Sequence, residues 1–124
     1  ILKGLPQVTV LTCQKQFGFF WTLSDAEKEE ARAYYTDLLE EVMAKSGAYG
    51  LLVLDEAMSA CTNRVIDEGR LLDLLEHKPE ELEVVLTGRG PSQALLDRAD
   101  YVTEMRKVKH PFDRGIPARY GVEY

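Results

Sequence analysis

Four short stretches of the chain are rich in apolar and β-branched residues, and this pattern predicts β-strands. They lie at 8–12, 51–54, 83–87 and 100–105, and the last of them is the most polar. Apolar runs of this length are typical of strands that are covered on both faces, as in a parallel sheet.

Helical periodicity separates these strands. The longest helical pattern follows Ser24, which forms a capping-box signature with Glu27 and leads to a helix that closes near Lys45. Two shorter helices are predicted at about 67–78 and 92–98. The stripe of the long helix that is expected to be buried consists of Ala31, Tyr34, Tyr35, Leu38, Leu39, Val42 and Met43.

Alternation of strands and helices predicts an α/β fold in which a parallel sheet carries helices on both faces. We expect one domain over 1–124. Its tail, 107–124, is expected to be ordered coil with a short terminal strand, anchored by Phe112, Tyr120 and Tyr124. Sheets of this kind bind ligands beyond the carboxyl ends of their strands, so candidate chemistry is sought there.

Charged and polar residues do follow the predicted strands. Asp55 and Glu56 end an apolar strand in the form of a Walker B segment, where carboxylates assist in binding the Mg²⁺ of a nucleotide. The alternative is an ordinary strand that ends in solvent-exposed acids. Arg89 lies between two glycines after the third strand, where it either binds a phosphate or carboxylate or is a surface residue of a turn.

An unusually apolar loop follows the first predicted strand. Its five residues, 17–21, include three Phe and the only Trp of the chain. Such a cluster either forms a platform for a large flat ligand or pins the loop to the core or to a partner subunit.

Composition narrows the classes of function. Fifteen Lys and Arg stand against 21 Asp and Glu, and a net charge of −6 disfavours general binding to nucleic acid because phosphate backbones would be repelled. No apolar run approaches the roughly 20 residues of a membrane helix. Cys13 and Cys61 lack the spacing of a zinc site, and two cysteines make no disulfide framework, so we expect a reducing cytoplasmic setting.

Taken together, the segments resemble the P-loop type of corrinoid adenosyltransferase, which acts on cob(I)alamin or cob(I)yrinic acid a,c-diamide. The resemblance runs along the whole chain, and it is specific because the motifs occur in the family's order and spacing. The matching segments are ILKG (1–4), GFFW (18–21), LDE (54–56), TGRG (87–90), ADYVTEM (99–105), VKHPFDRGI (108–116) and GVEY (121–124).

The resemblance implies a P-loop NTPase (RecA-like) fold and a reaction in which reduced cobalt attacks the 5′ carbon of ATP and triphosphate leaves. By the same resemblance, Glu56 together with Asp55 binds Mg²⁺, and Arg89 contacts the nucleotide. Phe19 and Trp21 pack against the lower face of the corrin, where they displace the lower axial ligand of cobalt. The family also implies a homodimer, and we expect a flavoprotein reductant. From the charge and the short apolar runs we expect no nucleic-acid or membrane partner.

One departure from the family is the absence of the glycine-rich phosphate loop with its Lys and Ser or Thr. In the family this loop precedes the segment that matches 1–4, so we expect an N-terminally incomplete domain, cut after its second strand. The competing hypotheses are a non-catalytic corrinoid-binding module of the same fold and a fragment of another P-loop ATPase. The ATPase hypothesis accounts for Asp55 and Glu56 but leaves the aromatic loop unexplained.

Overall fold

The computed structural model describes residues 1–15, 17–18 and 20–122, and this part of the chain forms a small α/β structure. Short 3-10 turns occur at Leu2–Gly4, Phe20–Thr22, Ser46–Ala48 and Pro111–Arg114. The α-helices and strands follow in the order α1 (Asp25–Lys45), β1 (Leu51–Leu54), α2 (Ala57–Thr62), α3 (Glu68–Glu76), β2 (Glu83–Leu86) and α4 (Gln93–Arg98).

The two strands are parallel neighbours, with Leu51 opposite Glu83 and Leu54 opposite Leu86. Side chains alternate across the sheet, so one face of each strand turns towards the helices and the other towards solvent. Parallel pairing requires a crossover connection, which α2 and α3 supply. It also brings the carboxyl ends of both strands to the same edge of the sheet.

The core lies between the helices and one face of the sheet. Leu71 of α3 is fully buried, and the remaining members of the core come from α1, α2, α3, α4 and the inner sheet face. They are Leu39, Met43, Cys61, Leu75 and Leu95, with Leu52, Leu54, Val84 and Leu86 packed against them. Burial of this apolar surface is what holds α1 and α3 against the strands.

Local signals place the helix ends where the sequence predicts them. Ser24 Oγ accepts a hydrogen bond from the Glu27 N–H, and the Glu27 carboxylate accepts one from the Ser24 N–H at 2.8 Å, which completes the predicted capping box. Asp67 caps α3 and Ser92 caps α4 through their side chains. In the stripe predicted for α1, Ala31, Leu39 and Met43 are buried, and its other members are half-buried.

Two of the four predicted strands are absent. Residues 8–12 and 100–105 have no regular structure, and Tyr101 is 94% exposed. A strand persists only where a neighbouring strand takes up its N–H and C=O groups, and in the described part of the chain β1 and β2 pair only with each other. The prediction of strands at these two segments was therefore wrong for this structure.

Two further expectations require correction. Helices cover one face of the sheet in the described residues, not both, and the other face exposes Leu51, Val53 and Val85. The tail aromatics Phe112 and Tyr120 are 75% and 87% exposed, so they do not anchor the tail to the core, and Tyr124 lies outside the described residues. In the ranges that the structure describes, no helix combines the length and apolar character needed to cross a membrane.

Candidate functional site

Asp55 and Glu56 lie directly after β1, at the carboxyl edge of the sheet, as the sequence predicts. Thr87 follows β2 at the same edge, because the strands are parallel and its N–H donates to the Leu54 carbonyl at 3.2 Å. The Thr87 hydroxyl donates to Asp55 Oδ1 at 2.6 Å and accepts from the Glu56 N–H at 2.9 Å. One hydroxyl group therefore positions both acidic residues.

A second hydroxyl group holds the side chain of Glu56. The backbone of this residue is left-handed, with φ of 56°, a conformation that strains a residue with a Cβ. The strained turn starts α2, and one turn into that helix Ser59 Oγ donates to Glu56 Oε2 at 2.5 Å. The same Ser59 oxygen accepts from the Arg89 N–H at 3.0 Å, so it links the acid to the turn after β2.

The turn after β2 packs closely on α2. Gly88 has φ of 134°, and a Cβ at this position would lie 2.9 Å from the Ser59 backbone nitrogen. The Thr87 carbonyl accepts from the Met58 N–H at 3.1 Å, and Thr62 Oγ1 donates to the Gly90 carbonyl at 2.8 Å. Glycine is therefore required at position 88 both by the backbone conformation and by the lack of space.

Arg89 is exposed, and its guanidinium makes no hydrogen bond or ion pair with any residue that the structure describes. Its backbone is fixed by Ser59, so the side chain extends from a rigid turn beside the acidic pair. Asp55, Glu56 and Arg89 are thus brought to one edge of the sheet. Thr87 and Ser59 are also part of this site. From the sequence, Thr87 stands out only as the first residue of the TGRG segment, and neither hydroxyl group has a predicted role.

The acidic pair suits a hard divalent cation. Carboxylate oxygens are the ligands that Mg²⁺ prefers, and Mg²⁺ usually binds through one or two carboxylates, with water and phosphate completing its shell. Asp55 Oδ2 and Glu56 Oε1 are not engaged by the two hydroxyl groups. Among residues 1–15, 17–18 and 20–122 no group of three or more His, Cys, Asp or Glu side chains forms a preassembled metal cage. The pair therefore fits a cation that arrives with a phosphate ligand.

The aromatic loop divides into a packed part and an exposed part. Phe17 packs on Tyr34 and Tyr35 of α1, with a distance of 5.7 Å between ring centroids in each pair. The Tyr34 hydroxyl accepts hydrogen bonds from the N–H groups of Gln14 and Lys15. These contacts pin the loop to α1, as one of the two interpretations of the sequence expected.

Trp21, by contrast, is 78% exposed. It lines a groove of about 360 Å³ that lies between the loop, the first turns of α1 and the residues after α2. Phe20 lines the same groove, and Lys28 Nζ stands 6.0 Å from the centre of its ring. Phe19 lies outside the described residues. Among the described aromatic residues of the loop, Trp21 is therefore the exposed one.

Helix α2 connects the acidic pair with the groove. It begins after Glu56 and ends at Thr62, and the next two residues, Asn63 and Arg64, line the groove beside Trp21. Six helical residues rise about 9 Å along the axis, so this is the length of helix between Glu56 and the residues after α2 that line the groove. The sequence pattern did not predict α2, because a helix of fewer than two turns is too short to show a hydrophobic period.

Comparison with known proteins agrees with these observations. Residues 1–124 match the family model described as ATP:corrinoid adenosyltransferase BtuR/CobO/CobP. A corrinoid adenosyltransferase of Pseudomonas aeruginosa is 36% identical over 107 residues, which cover 86% of this chain and 53% of that protein. A corrinoid adenosyltransferase of Sinorhizobium sp is 36% identical over 108 residues, which cover 86% of this chain and 50% of that protein. One of Escherichia coli K12 is 29% identical over 107 residues, which cover 86% of this chain and 55% of that protein.

The chain thus spans about half the length of the curated relatives that it matches. The match to the family model, however, spans residues 1–124. The chain therefore belongs to the ATP:corrinoid adenosyltransferase family BtuR/CobO/CobP.

Proposed function

We propose that the protein takes part in transferring the 5′-deoxyadenosyl group of ATP to the cobalt of a reduced corrinoid, either cob(I)alamin or cob(I)yrinic acid a,c-diamide. In this reaction the cobalt(I) electron pair forms the cobalt–carbon bond at the 5′ carbon. The bond from that carbon to oxygen breaks, and triphosphate leaves with the electron pair. Membership of the family supports this assignment.

The observation that carries the proposal is the exposure of Trp21 beside a groove, at one end of α2, while the acidic pair occupies the other end. Tryptophan presents a large, rigid aromatic face, which is the kind of surface that stacks on a flat ligand. A corrin has the flat apolar face that suits it. A nucleotide bound at the sheet edge would then present its 5′ carbon towards the corrin across the length of α2.

Each residue of the site has a role in this proposal. Asp55 and Glu56, held by the hydroxyls of Thr87 and Ser59, would hold the Mg²⁺ that accompanies the triphosphate, and this ion neutralises charge on the leaving group when bound. Arg89 would bind a phosphate oxygen through its unpaired guanidinium.

The aromatic side chains act on the corrin. Trp21, with Phe19, would pack against the lower face of the ring and exclude the lower axial ligand of cobalt. Loss of that ligand makes Co(II) easier to reduce, so that a modest flavoprotein reductant suffices. We further propose a homodimer, a complete fold of the P-loop NTPase type, and a reducing cytoplasmic setting, which is consistent with the free thiols of Cys13 and Cys61.

A second candidate function is corrinoid binding without adenosyl transfer. This function would need no segment of the form G-x-x-x-x-G-K-[ST], which cradles triphosphate in nucleotide-binding P-loops and does not occur within residues 1–124. Another P-loop ATPase is disfavoured, since it gives no role to the exposed Trp21.

The direct test is to incubate the 124-residue protein with ATP, Mg²⁺ and chemically reduced cobalamin, and to follow formation of the cobalt–carbon bond by absorbance. Product formation supports the proposal. Corrinoid binding without product supports the second candidate. Product that appears only when a segment with a phosphate loop precedes residue 1 assigns triphosphate binding to that segment.

Two substitutions test the corrinoid site and the nucleotide site separately. Trp21→Ala should impair use of the corrinoid more than binding of ATP, because the groove and the acidic pair lie at opposite ends of α2. Tyr101→Ala removes an aromatic ring that is 94% exposed outside the site and serves as the control. Equal losses of corrinoid and ATP affinity in Trp21→Ala would contradict the assignment.

Glu56→Gln should weaken Mg²⁺-dependent binding of ATP, because the amide retains the shape of the side chain but loses its charge. Glu80→Gln, at an exposed position between α3 and β2, is the matched control. Unchanged nucleotide affinity in Glu56→Gln, measured in a protein that binds ATP, would count against a role in the metal site.

A further inference from the structure

The groove beside Trp21 has an unbalanced set of charges. The two acidic residues that line it form ion pairs within α1. Asp25 Oδ1 lies 3.4 Å from Lys28 Nζ, and Glu29 Oε1 lies 3.0 Å from Arg32 Nη1. Arg64 lines the groove as well, and its guanidinium forms no ion pair or hydrogen bond with the described residues. Arg64 therefore gives the groove a positive charge that has no partner in the part of the chain that the structure describes.

The backbone holds Arg64 in a conformation that arginine disfavours. Its φ is 56°, in the left-handed region where Gly and Asn are the usual residues. Two hydrogen bonds keep it there: the Arg64 N–H donates to the Cys61 carbonyl at 2.9 Å, and Arg32 Nε donates to the Arg64 carbonyl at 2.7 Å. A strained residue that is held so firmly, with its charge beside an exposed aromatic ring, points to a ligand contact.

The size of the groove indicates which part of a ligand it takes. About 360 Å³ is at the small end of the range for ligand sites, so the groove accommodates the edge of a corrin and its side chains rather than the whole macrocycle. The side chains at that edge end in amides or in carboxylates, depending on the corrinoid. Guanidinium binds a carboxylate through two parallel charge-assisted hydrogen bonds, which an amide cannot match.

We infer that Arg64 binds a peripheral carboxylate of the corrin ring and makes the groove selective for corrinoids whose side chains end in carboxylates over those whose side chains end in amides. This inference rests on the proposed function, because it requires the corrin to lie against Trp21. It adds a residue that sets which corrinoid is preferred.

Trp21 is the only tryptophan of the protein, so its fluorescence reports on the groove alone. The test titrates the 124-residue protein with two Co(II) corrinoids: cobyrinic acid a,c-diamide, whose remaining peripheral side chains are carboxylates, and cobalamin, whose corresponding side chains are amides. Free N-acetyltryptophanamide corrects for absorption by the corrinoid. We expect the carboxylate-bearing corrinoid to bind more tightly to the unaltered protein.

The decisive variant is Arg64→Asn. Asparagine tolerates the left-handed backbone, so the urea unfolding midpoint should stay the same or rise, which separates binding from folding. Affinity for the carboxylate-bearing corrinoid should fall roughly tenfold, while affinity for cobalamin changes less than about twofold. Arg106→Asn removes the same charge from a side chain that is 80% exposed outside the groove, and it should change neither affinity.

The possible results separate the selectivity of Arg64 from the proposed function. If both corrinoids quench Trp21 but Arg64→Asn leaves both affinities unchanged, or lowers them equally, the selectivity of Arg64 is refuted and the proposed function stands. A preference of the unaltered protein for cobalamin refutes it as well. If neither corrinoid affects the fluorescence, the corrin does not lie at Trp21, and the proposed function fails together with the inference.

Discussion

Replacing Gly88 by alanine tests the packing that joins the turn after β2 to α2. The new Cβ would meet the Ser59 backbone nitrogen at 2.9 Å, and it would also lie 3.1 Å from both the Met58 Cβ and the Ser59 hydroxyl. Backbone atoms of a helix cannot move aside as the end of a flexible side chain can. The turn must therefore shift, and with it the hydrogen bond from the Arg89 N–H to Ser59.

Two effects add up in this variant. A residue with a Cβ at φ of 134° is strained by roughly 1–3 kcal/mol. Overpacking against well-ordered atoms adds about 1–3 kcal/mol. We therefore expect Gly88→Ala to lower the free energy of unfolding by at least about 2 kcal/mol.

Two other glycines separate these effects. Gly90 has φ of 65°, but the nearest atom to an added Cβ would be the Thr62 hydroxyl at 3.7 Å. Gly90→Ala therefore has backbone strain without a steric clash, and it should lower the free energy of unfolding by about 1–2 kcal/mol. Gly50, just before β1, has neither a left-handed φ nor an atom within 4 Å. Gly50→Ala should stay within about 1 kcal/mol of the unaltered protein.

Urea unfolding followed by circular dichroism measures all three variants, and an unchanged dependence on urea shows that only stability has changed. The expected order of stability is Gly50→Ala, then Gly90→Ala, then Gly88→Ala. If Gly88→Ala is as stable as Gly50→Ala, the close approach of the turn to α2 is wrong, and so is the positioning of the acidic pair that depends on it.

Three further predictions concern the core, the acidic pair and the cysteines. Leu71→Ala should lower the free energy of unfolding by about 2–5 kcal/mol in the same urea assay, because its side chain is fully buried, and a loss below about 1 kcal/mol would contradict this core. Thr87→Val should weaken Mg²⁺-dependent ATP binding because it removes the hydroxyl that positions Asp55, whereas Thr87→Ser should retain it; equal affinities in both variants would refute the positioning role. Burial raises the pKa of Cys61 from 9.0 to about 11, so the stability that its neutral thiol contributes is complete below pH 9 and lost as pH rises through 11. At pH 8 a thiol reagent should therefore modify the exposed Cys13 quickly and Cys61 only on unfolding, and rapid modification of both would show that Cys61 is accessible.

Local signals in the sequence were sufficient for most of the helices and for the two strands of the sheet. Ser24 with Glu27, Asp67 and Ser92 are capping residues whose hydrogen bonds reach only three residues along the chain, so the pattern and the structure agree at α1, α3 and α4. The strands predicted at 51–54 and 83–87 are short, apolar and flanked by turn residues, and the structure has them at 51–54 and 83–86.

The segments 8–12 and 100–105 have the same local character as true strands but form none. A strand is completed by a neighbour that is distant in sequence, so composition within five residues cannot decide whether that neighbour is present. For the same reason the sequence predicted helices on both faces of the sheet, whereas in the described residues α1 and α3 pack on one.

The residues of the candidate site were also predicted only in part from the sequence. The positions of Asp55, Glu56 and Arg89 after apolar strands were visible in the sequence, and their meeting at one edge follows from parallel pairing alone. The structure added Thr87 and Ser59, whose hydroxyl groups reach across 32 and 30 residues to Asp55 and the Arg89 backbone.

By itself, the sequence determined the α/β class, the helix ends, the acidic edge and the family resemblance, because each depends on residue type at short spacing. Only the tertiary structure decided that Phe17 packs on α1 while Trp21 stays exposed, and that α2 places Arg64 beside it. The physical reason is that exposure and the environment of a charge depend on which distant segments pack together. No periodicity along the chain records those contacts.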